Sequence, residues 1–223
     1  MLLWILSDIH VELTRGWDLP PPGDRPDFDV LVVAGDLIPR MERGVKWLRQ
    51  RVPDKPVVYI PGNHEAYGTD IDRTVAKAME VAQGTKVFVL QDRWIRLGQV
   101  TFAGATLWTD FALFGDEHRA MRAAADCMND FKKIRVGRYV ERFRPPHALA
   151  RHKRSRAFLE TELRKSRGVG KLVVVTPCAD AEPRLSAGSA LSGRQGERRG
   201  DPERRLPQRL DLADVAGPDS ELQ

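Results

Sequence analysis

Cysteine is scarce in this chain. There are two in 223 residues, Cys127 and Cys178, and they have neither metal-type nor redox-type spacing. They imply no disulfide framework, and so few thiols fit a reducing cytoplasm. Long apolar runs are also missing, and none suffices to cross a bilayer. Met1 to Ser7 is apolar but short, with no basic stretch ahead of it and no cleavage site. It reads as a strand and not as a signal peptide. The last fifth lacks still more. From Pro177 to Gln223 there is no Phe, Trp, Tyr, Met, Ile, Thr or Lys, and the basic residues are all Arg. Such a stretch has little to bury. Residues 177–223 are therefore expected to be a disordered tail, with at most a helical turn within 207–215. No histidine follows His152.

The rest is globular in composition. Hydrophobic residues make up 42% and charged residues 30%, enough for one domain with a real core over residues 1–176. The net charge of +5 is spread along the chain. It reads first as a general surface bias, with nucleic-acid binding kept as a lesser alternative.

Apolar, β-branched runs predict strands at 2–7, 29–33, 56–60, 86–90 and 171–175, most of them apolar throughout, as strands covered on both faces are. A hairpin is expected from 94–97 and 100–105 around Gly98-Gln99. Helical spacing predicts helices over 41–52, 70–83, 117–127 and 145–165. Loops rich in Pro and Asp (18–27) and in mixed residues (106–116) lie between them.

Three of the predicted strands exit into similar chemistry. The first runs into Asp8-Ile9-His10, the second into Gly35-Asp36, the third into Gly62-Asn63-His64-Glu65. In open α/β sheets, ligands sit at the strand exits. Carboxylate, imidazole and amide oxygen together suit divalent Mn, Fe, Zn or Mg. Asp8 and His10, two apart in an extended segment, would point the same way. Asp36 has two oxygens with which to bridge two ions, and Gly62 has the freedom to turn the chain sharply. Two ions together can activate water and clamp a phosphoryl group. His64 could then act as the acid for the leaving group. A capping or turn role is adequate for any one of these residues, but not for five at three strand ends. His118, His147 and His152 lie outside this pattern and read as surface histidines. Trp108-Thr109-Asp110 and Asn129-Asp130 suit a site mouth or ordinary loops equally.

Asp8-x-His10, Gly35-Asp36 and Gly62-Asn63-His64-Glu65 resemble the first three motifs of the calcineurin-like metallophosphoesterases. The resemblance covers Met1 to about Thr176. It implies an α/β sandwich of two mixed sheets flanked by helices, two divalent metal ions and a phosphate-ester substrate. By the same resemblance Asp8 and His10 would ligate the first metal, Asp36 would bridge, Asn63 would ligate the second, and His64 would be the catalytic acid. The family also has a His directly after the strand corresponding to 171–175, and later a Gly-His-x-His. Here Thr176-Pro177-Cys178-Ala179 stands instead, so three imidazoles are missing and the domain is incomplete at its C-terminal side. Two origins fit. Loss of two nucleotides from a codon run for Thr-His-His-Ala gives Thr-Pro-Cys-Ala, with an Arg-rich, out-of-frame tail behind it. The other is a natural tail on a degenerate member. The expected function is a cytoplasmic, metal-dependent phosphoesterase impaired by its C-terminus. The competing reading is a non-catalytic binding or scaffold protein that keeps the fold.

Overall fold

The computed structural model describes residues 1–177 and the short strand Arg209–Leu210. Strands β1 (Leu3–Leu6), β2 (Val30–Ala34), β3 (Val57–Ile60) and β4 (Val87–Val89) run parallel in that order. Helix α1 (Met41–Arg51) links β2 to β3, and α2 (Ile71–Ala82) links β3 to β4. A second sheet has the order β5 (Arg93–Leu97), β6 (Val100–Gly104), β9 (Lys171–Val175). The β5–β6 pair is the expected antiparallel hairpin, while β6 and β9 are parallel. Between β6 and β9 the chain forms α3 (Glu117–Cys127), α4 (Asp130–Lys133), the ribbon β7 (Arg135–Val136) and β8 (Glu141–Arg142), and α5 (Pro145–Arg164). Arg209–Leu210, β10, pairs antiparallel with β1. Both larger sheets are thus mixed, as expected.

The alternation along the strands shows why they read as continuous apolar runs. Leu31, Val33, Val57 and Tyr59 pack towards α1 and α2 with Met41, Val45, Leu48 and Ala78. Val30, Val32, Val58 and Ile60 pack the other way, against Val100, Phe102 and Val175 of the second sheet. Period-two side chains therefore bury both faces of the first sheet. Leu159 and Phe158 of α5 cover the far side of the second sheet at Ala103 and Ala105. A separate cluster of Trp108, Phe111, Phe131, Ile134 and Phe143 packs onto Ala66 and Ile71. It anchors the insertion between β6 and β9 over the loop that follows β3.

Several expectations need correction. Neither α4 nor the β7–β8 ribbon is evident from the sequence, because four- and two-residue elements show no usable period. Of residues 207–215, where a helical turn was the most expected, Arg209–Leu210 forms a strand. Apart from Pro177, the remainder of the expected tail lies outside the described residues. Among the described residues no helix is long and apolar enough to cross a membrane.

Candidate metal centre

Parallel strands present their C-terminal ends on one side, so the loops after β1, β2 and β3 meet there. The first loop is not extended. Asp8 and His10 have φ of 53° and 48°, in the left-handed region, and Asp36 has φ 53°. Asp and His tolerate that region better than most residues, and clusters of such strain mark functional sites. Backbone bonds hold the strain in place, from Asp8 N to Gly35 O (3.3 Å), His10 N to Asp36 O (2.9 Å) and Val11 N to Leu37 O (2.9 Å). Asp8 and His10 converge because their loop is tied to the next one, and not by the alternation of an extended segment.

Gly62 also needs a different explanation. It is absent from the residues with positive φ. A Cβ there would lie 2.2 Å from Asp36 Oδ1 and 2.8 Å from Asp36 N. Glycine is required because the third loop presses directly on Asp36. Gly35, by contrast, does turn at φ 76°.

Glu65 holds this junction together. It is fully buried. Its Oε2 accepts from Asp36 N (3.0 Å) and Gly62 N (2.8 Å); its Oε1 accepts from Leu37 N (2.8 Å) and Tyr59 Oη (2.7 Å). One carboxylate thus pins the exits of β2 and β3 to each other. Burial, then the nearby Asp36 charge, push its pKa up to about 7 against the pull of those donors. Burial likewise raises the Asp36 pKa. Asp36 does not cap α1, whose N-cap is Arg40; instead its Oδ1 accepts from His64 N at 2.9 Å.

Asp8, His10 and Asp36 each offer a ligand atom within 4.8 Å of the others, and so do His10, Glu12 and His64. His10 Nδ1 is buried and has no hydrogen-bond partner. It lies 3.6 Å from Glu12 Oε1, too far for a hydrogen bond. An orphaned imidazole nitrogen close to the buried Asp36 and the exposed Asp8 and Glu12 is part of a donor set that fits a divalent cation. A cation there would also offset the cost of burying the Asp36 charge, which is what raises its pKa. The His64 ring is 4.3 Å from that of His10, edge-on, and 4.2 Å from that of Tyr67. Its Nδ1 is 3.1 Å from Glu12 Oε1. Asn63 directs Nδ2 to Asp130 Oδ1 at 2.8 Å and approaches Tyr67 Oη at 3.3 Å.

Sequence reasoning missed three participants. Glu12 continues the Asp8, His10 alternation, and that spacing was the available signal. Asp130 stood only among loop candidates. His152 was expected on the surface, yet only 14% of its side chain is exposed. Its Nδ1 bonds the Trp108 carbonyl, its Nε2 is buried without a partner, and Asp110 Oδ2 is 4.0 Å from Nε2. With Ser7, Thr109 and Thr176 these residues line a cavity of about 480 Å³. His118 is exposed as expected, and His147 turns back to accept from Arg144 N.

The family model described as calcineurin-like phosphoesterase matches residues 1–95. That stretch contains all five of the sequence-predicted site residues and stops before Trp108, Asp130 and His152. No curated protein matches the chain. The mixed α/β architecture with its parallel sheet agrees with a calcineurin-like fold.

Proposed function

We propose that this protein is a metal-dependent hydrolase of phosphate mono- or diesters whose working site is the junction of the first three strand exits. The observation that carries the reading is the meeting of Asp8, His10 and Asp36 within 4.8 Å, in a segment similar to calcineurin-like phosphoesterases. Asp8 and His10 would hold one divalent ion, Asp36 would face both ions of a pair, and Asn63 would serve the second. Mn, Fe, Zn and Mg all suit these donors. Such ions would supply charge neutralisation at the phosphoryl group and activation of the attacking water. His64 is the acid: its Nδ1 lies 3.1 Å from Glu12 Oε1, an acceptor for a proton on that nitrogen, and in the doubly protonated ring this leaves Nε2 to deliver its proton to the departing alcohol oxygen. His10 and Tyr67 flank the ring and restrict its rotation. Scarce cysteine supports a cytoplasmic setting.

The absence of His after His152 supports weak metal retention and low turnover. The same absence favours the second reading, a non-catalytic binding protein that keeps the fold. Hydrolysis of p-nitrophenyl phosphate or bis(p-nitrophenyl) phosphate with added Mn, abolished by Asp36→Asn, supports the enzyme. Folded protein without turnover in Mn, Fe, Zn or Mg supports the binding protein.

A further inference from the structure

The side chain of Asn63 has two ends of nearly equal size, and only the carbonyl end can donate to a cation. Something must decide which end faces the strand exits. Asp130 is the candidate. It is 2% exposed, and its Oδ1 accepts Asn63 Nδ2 at 2.8 Å across 67 residues of sequence. A carboxylate is an acceptor only, so it fixes the NH2 end on its own side. Among the described residues nothing donates to Asn63 Oδ1, which is left free for a ligand.

Asp130 is itself held firmly. It opens α4, whose Phe131 is buried in the cluster that packs on Ala66 and Ile71. Gly68 N donates to Lys133 O (3.0 Å), and Arg135 N to Thr69 O (3.0 Å). The insertion is therefore sewn to the chain just beyond Asn63.

We propose that Asp130 is a positioning residue that presets the Asn63 carbonyl oxygen towards the Asp36 side for donation to a divalent cation. This rests on the metal-site reading above. It adds a partner from outside the segment that carries the motifs. The role is one of orientation. It vanishes when the ligand's two ends are made chemically identical, as in an Asn63→Asp variant.

The test is a double-mutant cycle on the full chain, read as Mn affinity from the electron paramagnetic resonance of free Mn. Asp130→Leu should weaken Mn binding about tenfold, in the range seen for partners of metal ligands. In an Asn63→Asp background, where Asp130→Asn is the reference so that two carboxylates never face each other, Asp130→Leu should differ from that reference less than twofold, because either oxygen then ligates. Asp130→Asn in that background keeps a hydrogen bond to the carboxylate and guards against loss of fold. Equal losses in both backgrounds would make Asp130 a packing residue only and overturn the proposal. A second readout needs no metal. The Asn63 side-chain NH2 should give two well-separated, exchange-protected resonances that merge with the bulk amide signals in Asp130→Leu. If they do not change, the orientation claim is wrong. Failure of the unmutated chain to bind Mn, with these resonances behaving as expected, would sink the metal reading and leave the orientation claim standing.

Discussion

The loops after β1 to β3 and the insertion between β6 and β9 contribute to one site by different means. The first region carries Asp8, His10, Asp36, Asn63 and His64 in short strings, each within a few residues of a strand end. The insertion carries Asp130, Asp110 and His152 singly, with no motif around them. Yet Asp130 contacts Asn63 at 2.8 Å, and His152 bonds the loop after β6. Parallel strands collect their exits automatically, so the chemistry of the first region is a local property of sequence. The insertion reaches the site only through its own apolar cluster, and its polar residues take meaning only from packing.

The comparison predicts that damage to the first region is general and damage to the insertion partial. Glu65→Ala should show the largest effect. It leaves Asp36 N, Gly62 N, Leu37 N and Tyr59 Oη without their acceptor, and each buried orphan costs about 1–3 kcal/mol. A fall of about 4 kcal/mol in urea unfolding free energy is expected, with Mn binding lost. A fall below about 1 kcal/mol would show that the junction is held by other contacts. Asp36→Asn should come next. It keeps the bond from His64 N but removes the charge that faces the ion. More than a 100-fold loss of Mn affinity is expected, above the range for indirect partners, with the fold intact by circular dichroism.

A pH series sharpens the same contrast. The Glu65 carboxyl sits at about 7 in the folded protein, against an ordinary value of 4.5. Between those values the folded chain holds a proton that the unfolded chain has released. Stability of the metal-free protein should therefore fall as pH rises from about 4.5 to 7, by about 3 kcal/mol at 1.36 kcal/mol per unit. Glu65→Gln should reduce this slope to the part that the raised Asp36 carboxyl contributes. A slope unchanged in that variant would place the titration elsewhere.

Much of the fold was legible because it rests on period and on Gly, Pro and Asp signals. The five apolar strands, the Gly98-Gln99 hairpin and helices α1, α2, α3 and α5 lie within a few residues of where the sequence puts them. Asp70 illustrates why. Its side chain accepts from Asp72 N and Arg73 N and starts α2, a capping rule that needs no tertiary knowledge. The gathering of polar residues at three strand exits was legible in the sequence, but its geometry was not. Left-handed backbone at Asp8 and His10, and the pressure of Gly62 on Asp36, depend on bonds between loops far apart in sequence. Glu65 looked like the end of a motif, and its four donors became countable only once the strands were aligned.

His152→Ala should have the smallest effect and test the insertion alone. His152 Nδ1 bonds the Trp108 carbonyl, and a single neutral hydrogen bond contributes about 1 kcal/mol. Asp110 Oδ2 lies 4.0 Å from Nε2, beyond hydrogen-bond reach, and 42% of the Asp110 side chain is exposed. An ion pair in that setting contributes little. Asp110→Asn should therefore leave the unfolding free energy unchanged within about 0.5 kcal/mol, while His152→Ala lowers it by about 1 kcal/mol. Mn affinity should change less than twofold in either. If Asp110→Asn costs as much as His152→Ala, the pair acts as a unit. If either variant weakens Mn binding tenfold, the cavity wall belongs to the metal centre, and the division between a region of motifs and a region of supports does not hold.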